Sequence, residues 1–252
     1  KKSTFQLQEN TEKIFTSFSY FFARGSATLA KKYNNESQCD YFAASIWPTG
    51  SSTIDAVLKK EISHMLNIKA PSVQIAKWLN DEKNKTLALW KTGNEKMLPK
   101  EVSEMGLSLS SEQEDKIMVM YENEKLITLA YYAYSFSGGA HGNHTTTLAC
   151  YNKQNSKKII LTDVLNPSGI KILPAILEQV ARLQYGVKNN KPLDQNGFLV
   201  NKIPVTENLY VTASGIGFLY APYEIKSFAD GEINLLIPFT ALGNYLLPAY
   251  KH

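Results

Sequence analysis

Two of the four histidines, His141 and His144, stand three residues apart in the glycine-rich stretch SGGAHGNH. Imidazole is a common zinc ligand, and zinc sites on helices place two histidines four residues apart or pair them with a carboxylate or thiolate. Here the spacing is three, and no Asp or Glu lies within ten residues of either histidine. We therefore expect no metal and no cofactor, with zinc held by ligands distant in sequence as the less favoured alternative.

We predict no catalytic residue, and His141 and His144 are the candidates if the protein is an enzyme. His141 could act as a base toward Ser135 or Ser137, but an orienting acid and the nucleophile-elbow pattern are both missing nearby. A hydrolase or metal-assisted enzyme using His141, His144 and an acidic residue remains the alternative function.

A structural role for this stretch is favoured. Gly138 and Gly139 can adopt positive φ without steric cost, as a sharp connection between two strands requires. His141 would then donate a ring N–H to a backbone carbonyl and fix the loop. A ligand-contacting role for Gly138, Gly139 and His141 is compatible with this interpretation.

Aromatic residues surround the glycines. Tyr132 and Tyr134 alternate along a predicted strand and share one face, while Tyr220 and Tyr223 lie in a second motif. Exposed rings of this kind stack on sugars or anchor a protein partner, and the alternative is core filling.

Acidic residues are the remaining candidates for chemistry. Glu224 is included among the predicted ligand-binding residues, and with Asp163 and Asp230 it offers carboxylates that glycoside chemistry would need at a defined separation. Turn and cap roles are the favoured interpretation, especially for Asp230, which precedes a glycine.

The overall composition excludes several classes of protein. The net charge is +4, yet only Arg24 and Arg182 are arginines among 27 basic residues. Arginine provides the planar fork that reads bases, so we expect no nucleic-acid partner.

No stretch approaches the ~20 apolar residues of a membrane span. The chain begins with Lys1 rather than Met, and we expect either a removed signal peptide or a lipid anchor.

Cys39 and Cys150 are the only cysteines and fall in strand-like segments. They could form a cross-strand disulfide, which would indicate an oxidising compartment, or remain two buried thiols. The sequence leaves both alternatives open.

The hydrophobic pattern predicts an α+β fold. It indicates a strand ending at Pro48, a helix capped by Ser52, and one or two short helices within 71–105, the first beginning at Pro71. A polar break or linker follows at 110–116, and then an antiparallel meander at 117–161. The C-terminal part predicts a helix that starts near Pro174 and ends at Gly186, a hairpin at Gly215, and a strand stopped at Pro238.

These elements predict antiparallel sheets with helices packed on one face, in two subdomains. We place the N-terminal α+β domain at 1–155 and the C-terminal one at 156–252.

Two motifs carry a resemblance to a known family. SGGAHGNHTTTLACYNKQNSKKIILTDVL and NLYVTASGIGFLYAPYEIKSFADGEINLLIPFTAL resemble the extracytoplasmic domain family of the lysozyme-sensing anti-sigma factor RsiV and of the N-terminal region of the peptidoglycan deacetylase PdaC. The resemblance is specific over 131–165 and 208–242 and weak over 1–110. It departs from the family at Lys226, Ser227 and Phe228, where the family often has Pro-Tyr.

The resemblance implies an extracytoplasmic protein, periplasmic or at the outer surface and in some cases lipid-anchored. It implies a non-enzymatic envelope binding module whose ligand is peptidoglycan, another glycan, or a protein such as lysozyme. No deacetylase sequence is present, so no deacetylase activity is implied.

Overall fold

Strands dominate two parts of the chain in the computed structural model, which describes residues 15–69 and 74–251. The strands are β1 (Phe18–Thr28), β2 (Gln38–Pro48), β3 (Ser111–Glu122), β4 (Leu126–Phe136), β5 (Asn143–Asn152), β6 (Lys157–Lys158), β7 (Leu209–Val211), β8 (Gly215–Tyr220) and β9 (Ile233–Pro238). The helices are α1 (Thr53–Met65), α2 (Ile75–Asn94), α3 (Pro99–Met105), α4 (Leu161–Val164), α5 (Pro167–Tyr185) and α6 (Phe239–Leu242). The α+β prediction is confirmed.

The strands form a six-stranded sheet in the order β1 to β6 and a three-stranded antiparallel sheet in the order β7 to β9. Every neighbouring pair is antiparallel except β2 and β3, which are parallel. The antiparallel prediction is therefore wrong for this one pair. Helices α1 to α3 return the chain to the starting end of β2 before β3 begins, and such a crossover produces a parallel pair.

Among the described residues, α1 and α2 pack on one face of the large sheet, in agreement with the predicted packing of helices on one face. Strand alternation directs Tyr41, Ile117 and Leu129 toward α1 and α2, where they share a core with Leu58 and Leu79. We call this side the helix face and the opposite side the outer face. The serine cap of α1 is also present, because Ser52 Oγ accepts from the Asp55 N–H in a capping box.

The small sheet packs on part of the outer face. Tyr210 and Leu219 form a buried cluster with Ala130 of β4 and Leu148 of β5. The large sheet's strands lie within 18–158 and the small sheet's within 209–238, and the domain division at 155/156 remains a prediction.

Two sequence expectations need correction. The polar stretch 110–116 is not a linker, because β3 starts at Ser111 and pairs with strands on both sides. Its polar residues fit a strand whose outer face is uncovered, while Asp115 on the helix face accepts from the Tyr131 hydroxyl at 2.5 Å. The Pro71 helix start lies outside the described residues, and α2 within them is 20 residues long rather than short.

Helix α5 begins seven residues before Pro174, at Pro167, so the prediction of a start near Pro174 is wrong. Asn166 caps the helix and Gly186 ends it with φ of 68°, the latter as predicted. The buried stripe of Leu173, Leu177 and Ala181 packs on the small sheet, and this burial offsets the missing proline N–H.

The two cysteines lie on opposite faces of the large sheet. Cys39 shares the helix face with Tyr41, whereas Cys150 joins the core beneath the small sheet. Both are free and buried, which decides for two thiols and against a disulfide.

Thiol labelling of the native protein should therefore leave Cys39 and Cys150 unmodified. Burial raises the pKa of both thiols and excludes reagent from them. Mass spectrometry should show two modified thiols only after unfolding. Rapid labelling of the folded chain, or a mass change on reduction, would contradict this arrangement.

Alkaline pH should unfold the protein cooperatively. Burial raises the pKa of Tyr250 to about 12, and it also raises those of Tyr41, Tyr131, Tyr151 and Tyr220. Unfolded tyrosine titrates near 10. Because the folded pKa values are the higher ones, stability is full below pH ~10 and is lost as pH rises through the folded values.

Circular dichroism and tyrosinate absorbance should change together in this titration. Tyr250→Phe should make the fall in unfolding free energy between pH ~10 and 12 shallower, since one of the linked groups is removed. Gradual ionisation of all tyrosines with no loss of structure is the opposing result.

Candidate functional site

The glycine-rich connection between β4 and β5 is a thin loop held at two points. Gly138 and Gly139 have φ of 83° and 99°, and a Cβ on Gly138 would overlap the Ser108 carbonyl. Gly142 is buried under the ring of Tyr134, where a Cβ would overlap the ring. The Tyr134 ring thus lies directly against the backbone of the loop at Gly142.

His141 fixes this loop, as the sequence predicts. Its Nδ1 donates to the Gly142 carbonyl at 2.8 Å, so Nε2 is left as an acceptor for the Tyr223 hydroxyl at 3.3 Å. The imidazole also stacks on Phe228, with ring centroids 3.8 Å apart and planes within 16°. Both ring nitrogens are therefore engaged, and the loop is connected to the segment that follows β8.

Tyr223 adopts an unusual backbone conformation, with φ of 69°. Positive φ is rare for a bulky residue and persists where the surroundings impose it. The Tyr223 N–H donates to the Lys226 carbonyl at 3.0 Å, and its hydroxyl reaches His141. The ring is nevertheless 54% exposed, so the strain holds it at the surface.

Ring contacts continue across the outer face of the large sheet. Phe228 contacts Tyr223 at 5.8 Å and the edge of His144 at 6.0 Å, and His144 lies 6.0 Å from Tyr132. We name Tyr132, His141, His144, Tyr223 and Phe228 the aromatic cluster. It joins the uncovered part of the outer face to the small sheet's last loop.

Lys226 anchors the loop that carries Tyr223 and Phe228. Its buried Nζ donates to the Gly197 carbonyl at 2.9 Å, pairs with Asp230 at 3.2 Å, and lies 4.5 Å from the Tyr185 ring centroid. The Ser227 hydroxyl first, and Lys226 after it, lower the pKa of Asp230. The chain departs from the family that it resembles at Lys226, Ser227 and Phe228. Lys226 and Ser227 therefore hold the loop in place, and Phe228 is part of the cluster itself.

Carboxylates flank the aromatic rings. Glu112 and Glu114 on β3 lie on the outer face opposite Phe136 and Tyr134. The pKa of Tyr132 is raised by burial and then by Glu114, and that of Tyr134 by burial and then by Glu112. Lys116 pairs with Glu114 at 2.6 Å and lies 5.1 Å from the Tyr132 ring centroid. The site thus combines aromatic surface with acidic groups.

The structure brings together most of the sequence-predicted residues. Tyr132, Tyr134, Gly138, Gly139, His141 and Tyr223 all belong to the loop or the cluster. Tyr220 is corrected: it is fully buried, and its hydroxyl donates to the Pro204 carbonyl at 2.7 Å. Glu224 closes a turn by accepting the Ala221 N–H at 2.9 Å. The sequence does not predict Phe228 as a site residue. Its signal is that an aromatic residue stands in the segment 226–228, where the chain departs from the family that it resembles.

Across residues 15–69 and 74–251, no group of three or more His, Cys, Asp and Glu side chains is arranged to hold a metal ion. His144 contacts aromatic rings, and His141 contacts a carbonyl and a phenol. The groups that the structure gathers here are aromatic rings flanked by carboxylates.

Alanine at Gly138 should destabilise the protein more than alanine at Gly139. Both changes place a Cβ on a residue with positive φ, at a cost of about 1 kcal/mol. Only the Gly138 Cβ meets the Ser108 carbonyl, whereas Gly139 faces open space. Urea unfolding should show losses of about 2 and about 1 kcal/mol, respectively. Equal losses would contradict the packing against Ser108.

Three comparisons place the chain among known proteins. A family model described as "Protein of unknown function (DUF3298)" matches residues 162–240. A solved DUF3298 family member from Bacteroides fragilis is 20% identical with a TM-score of 0.78, covering 92% of this chain and 94% of its own. One from Pseudomonas aeruginosa is 14% identical with a TM-score of 0.63, covering 94% and 98%. No curated protein matches. Residues 162–240 are thus similar to the DUF3298 family model, and the chain shares the fold of these two structures.

Proposed function

We propose that this protein is a non-enzymatic binding module of the bacterial envelope and that its aromatic cluster binds a glycan such as peptidoglycan. The observation that carries the proposal is Tyr223, an exposed ring held in a strained backbone conformation. Strain of this kind is concentrated at ligand-contacting sites.

The cluster suits a sugar because it combines two kinds of contact. Aromatic faces provide apolar area with little loss of side-chain entropy, and they suit the apolar face of a sugar ring. Glu112 and Glu114 flank the rings and offer acceptors for hydroxyl groups. The hydrogen bonds and stacking at His141 fix the ring positions before binding, which lowers the entropic cost of association.

The envelope location is supported by the motif resemblance over 131–165 and 208–242. None of the helices within the described residues is long and apolar enough to cross a membrane. Fractionation of the native host, with antibody detection in cytoplasmic and extracytoplasmic fractions, tests the location. Detection only in the cytoplasm would overturn it.

Calorimetric titration with soluble peptidoglycan fragments tests the ligand. Tyr223→Gly removes the ring but tolerates the positive φ, and Phe228→Ala removes the neighbouring ring. Each should weaken binding about tenfold or more. Leu183→Ala is the control, because Leu183 is 84% exposed on α5 and outside the cluster. Undetectable binding at millimolar fragment, or equal affinity in all four proteins, would reject the proposal.

A cationic protein such as lysozyme is the second candidate. The chain is net positive, but Glu112 and Glu114 place negative charge beside the cluster, and Glu232 adds to it at Tyr132. Complementary charge raises association rates and makes them salt-dependent. The Glu112→Gln, Glu114→Gln double variant should slow lysozyme association at low salt in surface-plasmon measurements. An unchanged rate and salt dependence would exclude this partner at this surface.

A further inference from the structure

The first strand, β1, forms one edge of the large sheet and is 11 residues long. The principal contacts of β1 within the described residues are with β2 and α2. The opposite side of the sheet is treated differently. On β5, the Thr146 carbonyl and the Leu148 N–H are paired with the Asn208 side chain, and the Thr146 N–H with Glu232. Side chains thus satisfy the β5 edge, whereas no strand within residues 15–69 and 74–251 pairs with the far side of β1, which we call the open edge.

The backbone direction along β1 follows from one hydrogen bond. The Thr49 N–H donates to the Ser17 carbonyl at 2.9 Å, continuing the register in which Phe18 faces Pro48. Backbone groups alternate in direction along an antiparallel strand. Odd-numbered residues of β1 therefore bond to β2, and the even-numbered residues direct their N–H and C=O groups to the open edge.

The even-numbered residues also carry the exposed side chains. Tyr20 and Phe22 are 61% and 62% exposed on the outer face, with ring centroids 6.2 Å apart, and Arg24 follows them. Sheet edges are usually blunted by short strands, proline, bulges or several charges. Strand β1 has no proline and no register shift, and Arg24 is its one charged residue. Its edge is suited to accept another strand.

We propose that β1 pairs antiparallel with β1 of a second copy of this chain, about a twofold axis at Phe22. In this register Phe22 faces its counterpart, and Tyr20 of each copy faces Arg24 of the other. Aromatic pairs and Arg–aromatic pairs both stabilise cross-strand contacts. One strand supplies both the cation and the ring, so the surface is complementary to itself, as an isologous dimer requires. The dimer joins the two large sheets into one continuous sheet.

Analytical ultracentrifugation of the full chain over a range of concentrations tests this dimer. The wild-type chain should dimerise reversibly, and Phe22→Glu, which sets two like charges at the twofold axis, should raise the dissociation constant about tenfold or more. Leu183→Glu is the control, since it changes an exposed leucine on α5. A wild-type monomer up to its solubility limit, or a dimer equally sensitive to both variants, would overturn the proposal.

A second variant is independent of the charge effect. Facing residues in a hydrogen-bonded antiparallel pair have Cα atoms ~5.5 Å apart, within the range for a disulfide. Phe22→Cys should therefore crosslink two chains under mild oxidation, whereas Leu183→Cys should not. The native cysteines are buried and do not compete. A Phe22→Cys chain that remains uncrosslinked at concentrations where the wild type is dimeric would refute this register.

Discussion

Replacing Gly217 with alanine should lower the stability of the protein by about 3–4 kcal/mol and its Tm by about 10 °C. Gly217 lies in the middle of β8, opposite Tyr210 of β7, and a Cβ there would overlap the Tyr210 ring. That ring packs between the two sheets against Ala130 and Leu148. The added methyl would displace it from this interface and break the 2.9 Å hydrogen bond from Asn234.

A double-mutant cycle isolates this contact. In a Tyr210→Ala background the ring is absent, so Gly217→Ala should cost much less than it does in the wild type. Gly93→Ala is the matched control, because a Cβ at Gly93 near the end of α2 meets nothing within 4 Å. It should leave stability unchanged or raise it by up to about 1 kcal/mol. If Gly217→Ala costs the same free energy of unfolding in both backgrounds, the loss does not arise from overlap with the Tyr210 ring.

The elements that could be predicted from sequence are those whose signal is local. Helix α1 shows apolar spacing and a serine cap, and the β7–β8 hairpin and the last strand show glycine and proline boundaries. The start of β3 has no such signal, because its polar residues 112–116 are stabilised by pairing with β2 and β4. The parallel pairing follows from how α1 to α3 pack, which residue patterns do not encode.

The candidate site also has parts that the sequence predicts and parts that only the folded chain brings together. The Gly138–His141 stretch could be recognised from its glycines, and the bond from His141 to a carbonyl follows from its position beside them. Phe228 is 87 residues beyond His141 in the sequence, and only the docking of the small sheet brings their rings together. The prediction of Tyr220 as a ligand-binding residue is wrong because alternation alone does not show that both faces of β8 are covered.

Replacing Asn208 with alanine should destabilise the protein by about 3 kcal/mol, because its side chain satisfies backbone groups at the edge of β5. The Asn208 side chain accepts the Leu148 N–H at 2.8 Å and donates to the Thr146 carbonyl at 2.7 Å. It therefore acts as one residue of an additional strand. Alanine would leave the buried Leu148 N–H without this partner, and each such group costs about 1–3 kcal/mol. Urea unfolding monitored by circular dichroism gives the loss.

Hydrogen exchange shows whether the loss arises at the sheet edge. The Leu148 amide should exchange faster in Asn208→Ala by more than the loss of global stability explains. The Leu129 amide lies inside the large sheet on β4, and its exchange rate should change only as much as the global stability does. Asn201→Ala is the control, since Asn201 is exposed and bonds only the exposed Asp194 among the contacts described. It should change stability by less than about 0.5 kcal/mol. If Leu148 remained protected in Asn208→Ala, the small sheet would hold the β5 edge through Glu232 and packing alone.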